Sequence, residues 1–231
     1  MTQLQVTTPD GEMPAYLWLP ESGSGTGVLL LQEIFGVSGY IRRRAADLAA
    51  AGYVVLAPDL YWRLDQQQVD ASAPGGIEQA MGLMSRLEWP TTVADADEAF
   101  ERLAGLGEVR GTPGVVGFCF GGGLAFNVAA EVAPAVLVSY YGSALPRLLD
   151  LAPQVTCPSL HHFGTADDFI PTDAVQAITA AVTADGRPAR IELHEEANHA
   201  FDNPDFAFHH PQGAARAWQQ TLAFLAEHLP A

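Results

Sequence analysis

The chain reads as an α/β protein, with a mostly parallel sheet of about seven to eight strands flanked by helices. Two observations predict this. Short apolar runs such as GVLLL, YVVLAPDL, GVVGF and AVLVSYY alternate with longer amphipathic stretches, the rhythm of strands connected through helices. The length of 231 residues, 48% hydrophobic and 16% charged, suits one large globular domain over residues 1–231.

Taken in order, LQVTT and PAYLWLP flank Asp10-Gly11 and predict an opening antiparallel hairpin. GVLLL follows the Gly/Ser-rich ESGSGTG as a buried strand. A helix over Tyr40–Ala51 leads through Gly52 to the strand YVVLAPDL, and the polar stretch from Arg63 to Gly76 is a loop. Helices are expected over Ile77–Glu88 and Thr91–Leu106, before the strand GVVGF and a helix opening near Gly121. The strands AVLVSYY, PSLHHFG and ARIELHE follow, with a helix from Thr172 to Asp185 between the last two and a terminal helix from Gln212 to His228.

Charge narrows the function. The formal net charge is −16, and all 11 basic residues are Arg. Without Lys there is no Schiff-base lysine and no phosphate-binding lysine of a P-loop. So acidic a chain repels nucleic acid and anionic membranes, which points to a small-molecule substrate. The opening MTQLQVTTPDGEMPAYLWLP lacks the basic start and apolar run of a signal peptide, and no apolar stretch reaches the ~20 residues needed to span a bilayer. Cys119 and Cys157 read as free thiols, so a cytoplasmic location is the expectation, with a monomer as the default state.

The chemistry centres on Gly117-Phe118-Cys119-Phe120-Gly121-Gly122-Gly123, between the strand GVVGF and the helical LAFNVAAEV. Gly-x-nucleophile-x-Gly at a strand-to-helix turn is the nucleophile elbow of α/β-hydrolases, with the usual Ser here a Cys. At a helix N-terminus the dipole and the first N–H groups favour the reactive thiolate. The Phe120 N–H would point at a carbonyl oxygen under attack, as half of an oxyanion hole.

A thiol nucleophile needs a base and a group to orient that base, and in this fold the chain order is nucleophile, acid, histidine. The strand PSLHHFG is followed by Asp167 and Asp168, and ARIELHE by His199, each past a strand's C-terminal end, where active sites of open α/β sheets gather. Among the other histidines, at least one of His161 and His162 belongs to the core, and His228 to a solvated helix face. His209 and His210 could line a pocket rim, but the spacing fits no metal site. One of the two aspartates turns to His199; the other could cap the helix beginning near Pro171.

Four segments together resemble the dienelactone hydrolase family: Leu31-Gln32-Glu33-Ile34-Phe35-Gly36-Val37, Ala57-Pro58-Asp59-Leu60-Tyr61, the elbow, and His199-Ala200-Phe201. They run in the family's order over nearly the whole chain. The resemblance implies a carboxymethylenebutenolidase-like enzyme without a cofactor or metal. It implies that the acid stands four residues before the proline of a Gly-x-x-Asp-x-x-x-Pro loop, which selects Asp167 and leaves Asp168 as neighbour or cap. It further implies that Glu33 contacts the thiol and controls its protonation, and that the Ile34 N–H is the second oxyanion donor.

One departure concerns the substrate. Family members that open dienelactone hold its carboxylate with Arg, one of them two residues after His-x-Phe. That position is Asn203 here, and Arg63 is the nearest basic candidate. The expectation is therefore hydrolysis of small lactones or esters through a covalent cysteine thioester, with a general carboxylesterase or, more remotely, a thiol redox protein as alternatives on the same fold.

Overall fold

The computed structural model describes residues 1–231 and divides by its contacts into two compact units, Met1–Gly114 with Ala231, and Val115–Pro230. It contains eight strands, β1 to β8, and six α-helices, α1 to α6.

In the first unit, β1 (Thr2–Thr8) and β2 (Gly11–Trp18) form the expected hairpin, paired from Thr2 with Leu17 to Thr8 with Gly11. Gly11 sits at φ 142°, a conformation open to glycine, and Thr8 Oγ1 closes the turn on the Gly11 carbonyl at 3.0 Å. β4 (Val54–Pro58) lies antiparallel to β2 and parallel to β3 (Gly25–Leu31), so the order is β1-β2-β4-β3. From Val28 to Leu31 and throughout β4 every residue is buried, as expected for strands covered on both faces.

α1 (Gly39–Ala50) is capped by the Ser38 hydroxyl and buries Tyr40, Ile41, Ala45, Leu48 and Ala49 at helical spacing. α2 (Gly76–Met84) stops four residues short of the expected Glu88. The chain turns at Ser85–Leu87 and starts a separate helix, α3 (Trp89–Ala104), with Glu88 extended before it and Pro90 in its first turn, where the missing N–H costs no hydrogen bond. α3 buries Val93, Ala96, Phe100 and Leu103 and packs on β1 and β3.

β5 (Val109–Phe118) starts earlier than its apolar pattern implied, because Arg110 to Thr112 are exposed and carry no hydrophobic signal. In the second unit its last residues pair with β6 (Leu137–Tyr140), β6 with β7 (Ser159–Gly164) and β7 with β8 (Ala189–His194), all parallel. α4 (Phe120–Val132) is buried from Phe120 through Ala129, α5 (Thr172–Thr183) links β7 to β8, and α6 (Pro211–His228) packs on both. Two short 3-10 helices, Leu145–Arg147 and Leu149–Gln154, connect β6 to β7 without any counterpart in the sequence reading. Both carry a proline, which suits a tight turn better than a regular helix.

The core of this unit includes polar groups. His161 and His162 on β7 are both buried. His162 Nδ1 lies 3.1 Å from His194 Nε2 and its Nε2 lies 3.0 Å from Thr221 Oγ1, which is 2.6 Å from the Tyr140 hydroxyl. Burial pushes His161 down to about 4 and His162 well below the usual imidazole range, so both rings are neutral spacers. No helix is long and apolar enough to cross a membrane.

Candidate active site

Parallel neighbours end at the same end of a sheet, so the segments after β5, β7 and β8 can meet. Cys119 follows β5 directly and opens α4, at φ 54° and ψ −114°. Such backbone costs a non-glycine residue roughly 1–3 kcal/mol and persists only where its surroundings enforce it. Here they do: the Cys119 N–H donates to the Tyr140 carbonyl at 3.0 Å, while the Cys119 carbonyl accepts from Gly122, Gly123 and Ser143. The glycines make this closeness possible. A Cβ on Gly117 would stand 2.0 Å from the Gly121 carbonyl oxygen, and one on Gly123 would stand 2.6 Å from the Ala144 methyl.

Asp167 lies in the turn after β7. Its Oδ1 accepts from the N–H groups of Phe169 and Ile170 at 2.8 and 2.9 Å, which orients Oδ2 toward His199 Nδ1 at 2.9 Å. The opposite nitrogen, His199 Nε2, lies 3.1 Å from Cys119 Sγ. The structure thus brings together the three side chains singled out as nucleophile, base and acid. Their side chains are nearly sealed, with His199 at 7% exposure and Asp167 at 0%. Burial alone would favour a neutral His199, but the charge of Cys119 and the hydrogen bond His199 donates to Asp167 outweigh it and lift the imidazole to about 10.

Gly164 closes β7 where a Cβ would lie 2.1 Å from the Ala197 carbonyl oxygen. That approach lets the acid and histidine loops pair: Ala166 N–H donates to Ala197, Thr165 N–H to His194, and Glu196 N–H to Thr165 Oγ1. The first glycine of the Gly-x-x-Asp-x-x-x-Pro loop is therefore a contact requirement.

Asp168 is not a helix cap. α5 begins after Pro171 with no side-chain cap, and Asp168 instead exchanges hydrogen bonds with Asn198. His209 and His210 are half-buried: His209 Nδ1 donates to the Phe201 carbonyl, and His210 Nδ1 caps α6 by accepting the Gly213 N–H. Two aromatic side chains that the sequence reading did not single out frame His199: Tyr141, with ring centroids 5.2 Å apart, and Phe169 at 4.9 Å. In the sequence Tyr141 is simply the last residue of the apolar run AVLVSYY. Its φ of 37°, which marks it as special, has no sequence signal.

Asn203 is buried, and its Oδ1 accepts from the Asp205 N–H at 2.9 Å. In the first unit, Glu33 is 1% exposed and Ile34 8%. Their segment is pinned to its own surroundings: the Tyr61 hydroxyl donates to the Ile34 carbonyl at 2.8 Å, and Val69 N–H to the Phe35 carbonyl. Gly36, at φ 81°, comes so close to the Gln67 carbonyl that a Cβ would stand 2.1 Å away. Arg63 is held by the carboxylates of Asp95 and Asp10 and lies over the Trp62 ring, so its charge is already matched. No group of His, Cys, Asp and Glu side chains is arranged to hold a metal ion.

A cysteine strained at a strand-to-helix turn, served by a histidine and an aspartate from later strand ends, belongs to the α/β-hydrolase class, and the strand and helix order agrees. Comparison with known proteins narrows the class. The profile of the dienelactone hydrolase family matches residues 13–229, and the chain belongs to that family of hydrolases. It is 36% identical to the carboxymethylenebutenolidase of Pseudomonas sp. (strain P51), over 95% of this chain and 92% of that one. It is 35% identical to carboxymethylenebutenolidase 1 of Cupriavidus pinatubonensis (strain JMP 134 / LMG 1197), over 80% and 78%. Among solved structures, a candidate dienelactone hydrolase from Klebsiella pneumoniae subsp. pneumoniae MGH 78578 superposes with a TM-score of 0.85 at 28% identity, covering 98% of each chain.

Proposed function

We propose that this enzyme hydrolyses small lactones or esters by two-step acyl transfer through a thioester on Cys119. The sulfur attacks the carbonyl carbon, the C–O bond breaks, and the leaving alkoxide takes a proton from the His199 imidazolium. In a lactone the alkoxide stays tethered to the acyl group. His199 then removes a proton from water, which attacks the thioester and releases the acid and the thiol. Asp167 holds the ring in its working tautomer. The N–H groups of Phe120 and Ile34 receive the developing oxyanion, and Glu33 governs the protonation of the thiol, roles carried by the family resemblance. The reaction needs no cofactor.

The observation that carries this reading is His199 placed between Cys119 and Asp167, with its imidazole lifted to about 10. Trapping tests it. A slowly turned-over p-nitrophenyl ester should add its acyl mass to the peptide containing Cys119, and Cys119→Ala should lose both the adduct and the turnover. An unmodified Cys119 during steady turnover, or an active Cys119→Ala, would overturn the thioester.

A general carboxylesterase with a neutral-substrate pocket is the second reading, favoured by the pairing of Arg63 with Asp10 and Asp95. We further propose that residues 1–231 act as one domain, since the family match spans both units. The three central side chains come from one chain, so the proposed reaction needs no more than a monomer. Two free cysteines, the Cys157 thiol pushed up to about 11 by burial, support a reducing cytoplasmic location.

A further inference from the structure

The backbone bonds between the acid and histidine loops end at Ala166 and Ala197, one and two residues short of Asp167 and His199. Beyond them stands a reciprocal pair. Asn198 Oδ1 accepts from its neighbour, the His199 N–H, at 2.6 Å and from the Asp168 N–H at 3.1 Å. Its Nδ2 donates to Asp168 Oδ2 at 2.8 Å. One oxygen therefore ties the residue after the acid to the histidine itself. Immediately after His199 the chain turns, with Ala200 at φ 56°.

From this geometry we infer that Asn198 and Asp168 form a clamp that positions His199 against Asp167 and Cys119, making Asn198 a positioning residue for the hydrolysis proposed above, on which this inference rests. The chemistry of the pair fits the task. An amide accepts and donates at once, so Asn198 can take two N–H groups on one atom and give an N–H to a carboxylate from the other; an aspartate has no such donor. Asp168 has no helix to cap, and its carboxylate is spent on this contact. Both members stand at the surface side of the site, outside the core. Their effect is therefore on aim: a misplacement of about 1 Å at reacting groups can cost on the order of 100-fold in rate.

The reciprocal swap tests it on the full chain, with kcat and KM for a p-nitrophenyl ester and thermal melting as readouts. Asn198→Asp sets two carboxylates face to face, and kcat should fall about 10- to 100-fold with KM and melting temperature nearly unchanged. Adding Asp168→Asn restores an amide opposite a carboxylate with the same acceptors for both N–H groups, and kcat should return toward the starting value. Asn198→Ala should lower kcat without rescue by Asp168→Asn. Unchanged kcat in Asn198→Ala and Asn198→Asp, failure of the double swap to exceed the single variant, or a loss that follows KM or melting instead of kcat would each overturn the clamp. Cys119→Ala, run in parallel, keeps the two ideas apart. If it is inactive while the Asn198 variants are unaffected, only the clamp fails; if it retains hydrolysis, the thioester reading fails.

Discussion

His199 Nε2 stands 3.1 Å from Cys119 Sγ, although 80 residues of chain separate the two. The imidazole can reach the sulfur because its other nitrogen is held by Asp167 at 2.9 Å. Remove that hold, and both the tautomer and the direction of the ring are lost.

Asp167→Asn should therefore lower kcat by roughly 10³- to 10⁴-fold, because an amide neither stabilises the imidazolium nor enforces the tautomer. The fold should survive, since an amide oxygen can still accept from the Phe169 and Ile170 N–H groups. Steady-state kinetics beside circular dichroism checks both halves. Wild-type-like turnover would move the acid elsewhere.

Stability should depend on pH through His199. The ring titrates near 6.5 in an ordinary setting and at about 10 in the fold. A proton held more tightly in the native state stabilises it, so this contribution is complete below pH 6.5 and is lost as the pH rises toward 10. Denaturant titrations between pH 6 and 10 should show a loss of unfolding free energy that shrinks in Cys119→Ala, where the charge of the sulfur beside the ring is gone. Equal pH slopes in the two proteins would contradict the charge coupling.

Gly164→Ala should damage both stability and catalysis. The new methyl would meet the Ala197 carbonyl at 2.1 Å, and forcing such overlap typically costs about 1–3 kcal/mol. The loops it would push apart carry Asp167 and His199, so kcat should drop together with the melting temperature. Gly82→Ala, where a Cβ meets nothing within 4 Å, is the control and should be neutral or mildly stabilising.

Neutral substrates should outperform anionic ones. Arg63 is matched by Asp95 and Asp10, so its charge is not free to take a substrate carboxylate, and Asn203 brings no charge to replace it. The difference in kcat/KM should be at least roughly tenfold, since one charge-assisted hydrogen bond is worth about 1.5–3 kcal/mol. A lactone measured as its free acid and as its methyl ester, at constant ionic strength, checks this. A clear preference for the anion would show that another group binds the carboxylate.

What could be read directly from the residues is local. The tight turn at Cys119 shows because a backbone that close admits only glycine on one side, and the hairpin at Asp10-Gly11 shows for a similar reason. The order of nucleophile, acid and histidine is likewise a matter of spacing along the chain, whereas the choice of Asp167 over Asp168 rests on the family resemblance. What could not be read is which side chain meets which across long separations. Arg63 is claimed by Asp10, 53 residues away, and by Asp95, 32 away. Asp168 finds Asn198 at a distance of 30 residues, and His162 finds both His194 and Thr221 in the core. A charged or amide side chain has no periodicity that names its partner. Its role is decided only when packing brings two strand ends together and burial makes an unmatched polar group costly.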